Sequence, residues 1–252
     1  MKILVTFALE NEFTPWRKMA GFQRDMATED GGCYRAQIGE ADVRVVITGM
    51  GRFAARRSMG VAFDEAADFC IASGLAGALK VEYNAGDILV ARQVAETKSG
   101  RALRCDDELV ELAGRSGAKI AERFLVSEKV IATVEEKKQL GASGDAVEME
   151  GAYILAAAAK NGIRSVAIRS ISDTLDKDLP LDFDRVMDEH GRVSIRKVVG
   201  QVVLSPGRIP GLISLAHDSE RAAGKLADFL TVFIKAIPTT PWETAKAEAV
   251  AI

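Results

Sequence analysis

Short apolar runs alternate with amphipathic stretches along most of this chain. The runs at residues 3–7, 43–48, 69–73, 88–94, 120–126 and 165–168 are often β-branched and bounded by glycine or polar residues, the pattern of buried strands. Residues 10–26, 53–67, 106–117, 134–140, 151–160 and 194–203 carry helical patterning, and 211–235 reads as a long closing helix. The stretch 151–160 holds four consecutive alanines and stops at Asn161-Gly162, a strong former followed by a stop signal. Strands alternating with helices predict a mostly parallel sheet covered on both faces, an α/β fold. No repeat or linker divides the chain. Residues 1–237 are therefore expected to form one domain, with 238–252 as a loose tail.

Composition narrows the class. At 252 residues the chain can bury roughly 70–75% of its unfolded surface and needs no covalent staple. Thirty-three basic and 36 acidic residues leave a net charge of −3, so there is no basic excess to displace the counterions of a nucleic acid. Cys33, Cys70 and Cys105 are scattered with no CxxC pair, which fits a reducing compartment better than a disulfide framework. His190 and His217 are the only histidines, little material for a zinc site or a histidine-based triad. The apolar start is followed at once by Glu10 and Glu12, unlike a secretory signal. No apolar run approaches the ~18 residues of a membrane span. These features predict a cytoplasmic protein with no nucleic-acid partner and no membrane span.

In an α/β sheet, chemistry gathers at the carboxyl ends of the strands. Glu12 follows the first strand, Glu148 and Glu150 follow the short apolar element Ala146-Val147, and Asp173 follows the run 165–168. Singly, each has an ordinary explanation. Glu12 suits the positive end of a helix. Glu148 and Glu150, two apart, would project to one side of an extended chain. Asp173, before Thr174, could be a cap. A different chemistry is suggested by Gly49-Met50-Gly51-Arg52-Phe53-Ala54, which matches GxGxxA between a strand and a helix, the pattern of a nicotinamide or flavin site. That pattern also needs an acid at the end of the next strand. The run here ends at Ser73, with Asp68 before it.

Together these segments resemble the nucleoside phosphorylase type I superfamily, and within it the methylthioadenosine/S-adenosylhomocysteine nucleosidases. The resemblance is carried by Ala8-Leu9-Glu10-Asn11-Glu12 after the first strand, by Thr48-Gly49-Met50-Gly51-Arg52, and by Ser73-Gly74-Leu75-Ala76-Gly77. Its most specific parts are Val147-Glu148-Met149-Glu150 and Arg169-Ser170-Ile171-Ser172-Asp173, and it runs in order to about residue 183. It implies a three-layer α/β/α domain with a mixed central sheet, a homo-oligomer, no cofactor and no metal. It also implies cleavage of the N-glycosidic bond of a purine nucleoside. Asp173 would protonate the departing base, and Glu12, Glu150 and Arg169 would orient the attacking water. Glu148, Met149, Gly74, Ala76, Ile131 and Ser172 would contact the substrate.

Water and phosphate are the alternative nucleophiles. Phosphorylases of the superfamily hold phosphate with an arginine and a serine, where this chain has Ala72 and Leu75. Alanine cannot replace the bidentate guanidinium, which favours hydrolysis. Arg52 and Arg17 are candidate anion contacts that keep phosphorolysis open. Ile131 stands where those nucleosidases stack adenine on an aromatic ring; an aliphatic side chain sandwiches a purine with less geometric specificity. Beyond Asp173, residues 176–183 and Val203-Leu204-Ser205-Pro206-Gly207 resemble phosphorylases associated with hopanoid lipid biosynthesis, which implies an open, apolar 5′ pocket. A non-catalytic nucleoside-binding relative would be marked by loss of Asp173, Glu12 or Glu150, and all three are present.

Overall fold

The structure is a computed structural model and describes residues 1–25, 32–180, 207 and 209–238. The predicted helix at 194–203, the hopanoid-like stretch beyond residue 180 and the tail from 239 lie outside the described residues. The strands are β1 (Lys2–Phe7), β2 (Gln23–Arg24), β3 (Cys33–Ile38), β4 (Ala41–Ile47), β5 (Phe69–Ala78), β6 (Ile88–Glu96), β7 (Ala102–Arg104), β8 (Lys119–Val126), β9 (Ala146–Glu148) and β10 (Arg164–Asp173). They form one sheet in the order β10-β6-β8-β9-β5-β1-β4-β3-β2, with β7 on β6. Because β10 pairs with both β6 and β5, the strands β5, β10, β6, β8 and β9 close on themselves. The remaining strands extend outward from β5.

The sheet is mixed. β1 runs parallel to β4 and β5, β10 to β5, and β8 to β6 and β9. Antiparallel pairs are β2 with β3, β3 with β4, β5 with β9, β6 with β7 and β6 with β10. The mostly parallel pattern expected from simple alternation fails at each of these antiparallel pairs, among them β3, which returns to β4 through a two-residue turn. Gly39 at φ 59° supplies the left-handed residue that such a hairpin needs.

The helices are α1 (Glu10–Ala20), α2 (Gly51–Ala62), α3 (Asp107–Arg115), α4 (Val134–Gly141), α5 (Gly151–Lys160) and α6 (Ile209–Ala236). α1 stops well before residue 26 because Gly21 turns left-handed (φ 69°) and donates its amide to the Arg17 carbonyl. α2 ends at Ala62, beyond which Asp64 pairs with Arg44 at 2.6 Å. α1 and α6 pack together, as do α2 and α5, and both groups contact the sheet, giving three layers.

What fixes α1 is aromatic packing. Phe7 and Phe13 stand 5.5 Å apart, Trp16 and Phe22 4.8 Å, and the Trp16 indole donates to Thr231 Oγ1 on α6 at 2.8 Å. Those rings are buried, so the helix that carries Glu12 is held by the main core. The three cysteines are free and buried, and burial pushes the Cys70 and Cys105 thiols up to about 12, as expected of packing residues. Among the described residues no helix is long and apolar enough to cross a membrane.

Candidate active site

A cavity of ≈ 640 Å³ opens where β1, β5, β9 and β10 end. Glu12, Glu148, Met149, Glu150, Ala76, Ile131, Ser172 and Asp173 all line it, so most residues singled out from the sequence converge on one space. Pro15 of α1 and Leu212 and Leu215 of α6 add an apolar wall. Two predicted residues do not line it. Gly74 lies beside Glu12, and Arg169 lies beneath the acids.

Glu12 sits in the first turn of α1. Its Oε2 accepts the amides of Ala8 at 3.1 Å and Leu9 at 3.3 Å, so the carboxyl folds back over the helix start as the acidic half of a capping box. Gly74, at φ 145°, makes this possible: a Cβ there would stand 3.2 Å from Glu12 Oε2. Burial raises the carboxyl above its usual range, opposed by the charge of Arg169 and by backbone amides.

Glu148 and Glu150 part company because the chain turns into α5 between them; Glu150 has φ −127° and ψ −28°, not extended backbone. Glu148 accepts the amides of Glu150 at 3.1 Å and Gly151 at 2.9 Å, and its Oε2 lies 2.5 Å from Arg169 Nη2. A Cβ at Gly151 would come within 2.7 Å of Glu148 Oε1. Glu148, expected as a substrate contact, lines the cavity with its carboxylate already engaged. It is taken up as the anion at the start of α5 and as the partner of Arg169.

Glu150 points the other way and accepts the Gly51 amide, the first of α2, at 2.5 Å. Its carboxyl is pushed up to about 8, by burial first and then by the neighbouring Glu148 and Glu12 carboxylates; the Gly51 amide and Arg169 oppose this. The same contact disposes of the dinucleotide pattern. Gly49 and Gly51 take φ 79° and 80°, and a Cβ at Gly49 would meet Ala54 Cβ at 2.7 Å, so these glycines serve a turn and close packing. The amide that would face a pyrophosphate faces Glu150 instead.

Arg169 is 1% exposed. Its guanidinium is committed to Glu148, to the Ala72 carbonyl and to the Ile168 carbonyl at 3.1 Å. Arg169, expected to help orient the attacking water, stands behind the acids, and its charge favours the ionised forms of Glu12 and Glu150. The two candidate anion contacts are engaged elsewhere. Arg52 pairs with Glu128 at 2.9 Å, and Arg17 lies 3.8 Å from Glu10 and over the Tyr34 ring.

Asp173 reaches the cavity through a bulge. The β10–β5 register slips between Ile171, opposite Ala76, and Asp173, opposite Gly77. Such a slip re-aims a side chain at a strand end. Asp173 Oδ1 accepts from Ser172 Oγ at 2.8 Å, and Oδ2 lies 2.7 Å from Lys137 Nζ. A Cβ at Gly77 would stand 2.9 Å from Oδ2, so only glycine leaves this room.

Lys137, which holds Asp173 without lining the cavity, and the α6 wall are among the residues that sequence reasoning missed. A signal for Lys137 existed, since it shares the inner stripe of α4 with Val134 and Gly141. The arrangement can do specific chemistry. Asp173 lines the same cavity as Glu12 and Glu150, two buried carboxyls whose ionisation is disfavoured, and a cation developing in that cavity would favour their charged forms. Among the described residues no group of three or more His, Cys, Asp and Glu is placed to hold a metal ion.

The profile of the phosphorylase superfamily matches residues 2–202. A 5′-methylthioadenosine/S-adenosylhomocysteine nucleosidase from Shewanella halifaxensis is 28% identical over 189 residues, which cover 65% of this chain and 82% of that protein. The fold is shared with the Campylobacter jejuni enzyme of that name, with TM-score 0.71, 17% identity, 94% of this chain and 100% of that one covered. It is shared equally with futalosine hydrolase of Helicobacter pylori, with TM-score 0.70, 20% identity and coverage of 94% and 98%.

Proposed function

This chain belongs to the phosphorylase superfamily, and from that premise we propose that it is a purine nucleosidase, hydrolysing the N-glycosidic bond of a 5′-substituted adenosine. The observation that carries the reading is the convergence of Asp173, Glu12 and Glu150 on one cavity of ≈ 640 Å³, within the size range of small-molecule sites. Asp173 delivers a proton to a ring nitrogen of the base while the electron pair of the C1′–N bond leaves with it. Water attacks C1′ from the opposite face and gives its proton to Glu12, whose raised carboxyl makes it a stronger base than an ordinary glutamate. Glu150 holds the ribose hydroxyls, with Met149 against the sugar. The positive charge growing on the ribose favours the ionised forms that burial disfavours at Glu12 and Glu150, so the stabilisation is greatest in the transition state. Two acids on opposite faces with water between them lead to inversion at C1′.

The base is sandwiched by Ile131, and the wall of Pro15, Leu212 and Leu215 receives an apolar 5′ group. Hydrolysis is favoured over phosphorolysis because Ala72 is fully buried and Leu75 lines the cavity, while Arg52 and Arg17 have carboxylate neighbours of their own. The catalytic unit spans residues 1–237, acts as a homo-oligomer and resides in the cytoplasm. The test is incubation with methylthioadenosine, S-adenosylhomocysteine, inosine and a lipid-linked adenosine, with and without phosphate, followed by assay of free base. Release of adenine at a rate indifferent to phosphate is expected. Formation of ribose 1-phosphate derivatives would replace the hydrolase by a phosphorylase.

A further inference from the structure

Lys137 has no exposed surface, an unusual place for an ammonium. Burying that charge is costly unless every donor is satisfied. Its three N–H groups have three acceptors: Asp173 Oδ2 at 2.7 Å, the Thr174 carbonyl at 2.9 Å and the Lys177 carbonyl at 3.0 Å. All three lie at the end of β10 or just beyond it. The helix that carries Lys137 is itself anchored. Thr133 and Glu136 form a capping box at its start, and the Val134 amide donates to Asp178 Oδ1 at 2.6 Å. An apolar residue on the inner stripe of α4 would serve packing as well, so the charge calls for a function.

We propose that Lys137 is the positioning residue of the proton donor, an inference that rests on the nucleosidase reading above. It holds Asp173 with Oδ2 turned toward itself and toward the backbone of Gly77, where a Cβ would stand 2.9 Å away. Oδ1, steadied by Ser172 Oγ at 2.8 Å, is left as the oxygen that delivers the proton. As that proton passes to the base, Asp173 changes from neutral acid to carboxylate. A fixed ammonium 2.7 Å away stabilises the second state selectively, without reorganisation at the moment of transfer.

The test measures kcat and KM for adenine release in Lys137→Met and Lys137→Gln, alone and combined with Asp173→Asn. The glutamine variant keeps hydrogen-bonding capacity toward the two carbonyls and carries the test should the methionine variant not fold. Loss of positioning is expected to lower kcat about 10²-fold with KM little changed. In the Asp173→Asn background neither change should slow the enzyme further, because residues acting as one unit are not additive. An unchanged kcat in Lys137→Gln, or an equal further loss on top of Asp173→Asn, overturns the proposal. If wild type releases no base from any nucleoside, the nucleosidase reading fails and the positioning role falls with it. If wild type is active, Asp173→Asn is not and the Lys137 variants keep full kcat, only the positioning role fails.

Discussion

Replacing Arg169 by methionine removes the counter-ion of a buried acidic cluster. Arg169 and Glu148 meet at 2.5 Å with 2% and 1% of their side-chain surfaces exposed, so the change leaves Glu148 as an unpaired buried charge. Breaking a buried pair from one side costs about 3–5 kcal/mol. In a chain of this size each kcal/mol moves Tm by about 2–4 °C, so Arg169→Met should melt about 6–20 °C lower. The loss has a built-in control. Adding Glu148→Gln removes the stranded charge, while the amide oxygen can still accept from the Glu150 and Gly151 amides that Glu148 now binds. The double variant should regain most of the lost Tm, because replacing both partners of a buried pair is far milder than removing one. Differential scanning calorimetry of wild type, both single variants and the double variant measures this directly. A single variant that melts with wild type, or a double variant no better than Arg169→Met, would refute the idea that Arg169 exists to balance these acids.

Glu150→Gln should change the pH dependence of stability. Burial and the neighbouring Glu148 and Glu12 carboxylates push the Glu150 carboxyl up to about 8 in the folded chain, from the ordinary glutamate value of 4.5, so the fold holds a proton that the unfolded chain has released between these values. Its contribution is fully present below the lower value and is lost as pH rises through the upper one. Relative to Glu150→Gln, wild type should therefore lose Tm between about pH 5 and about pH 9; parallel curves would show that Glu150 is not held protonated. Gly77→Ala should displace Asp173 without unsettling the strand, since its added Cβ would stand 2.9 Å from Oδ2. A shift of this kind costs about 10²-fold in kcat, and calorimetry should find Tm lowered, since the displacement loosens the contact of Asp173 with the buried Lys137. Wild-type turnover in that variant would mean that Asp173 has freedom the packing denies it.

The apolar halves of the strands were legible because burial on both faces writes itself as a continuous hydrophobic run. Their catalytic halves were not. β5 continues to Ala78 through Gly74 and Gly77, and β10 continues to Asp173 through Arg169 and Ser172, since close approach and polar chemistry there replace the residues that mark a strand. β3 was missed for a related reason, because its sequence Cys-Tyr-Arg-Ala-Gln-Ile is only half buried and lacks an apolar run. Glu12, Glu150 and Asp173 could be marked as a set by their motifs. The separate task of Glu148 could not, because spacing in an extended chain says nothing of the turn into α5 that divides it from Glu150. Lys137 carries a residue type that ordinarily means solvent, and only its place on the inner stripe of α4 signals otherwise. The α6 wall meets α1 across the whole length of the chain, a tertiary contact with no local signature.

The central claim is that Asp173 supplies the proton that lets the base depart. Its most direct measurement is single-turnover release of adenine from methylthioadenosine by wild type and Asp173→Asn, at saturating enzyme, with Tm recorded for both. The account predicts a slowing of about 10²–10⁴-fold in a variant that still folds, the size of effect general-acid catalysis supplies. Equal rates in the two proteins would contradict it.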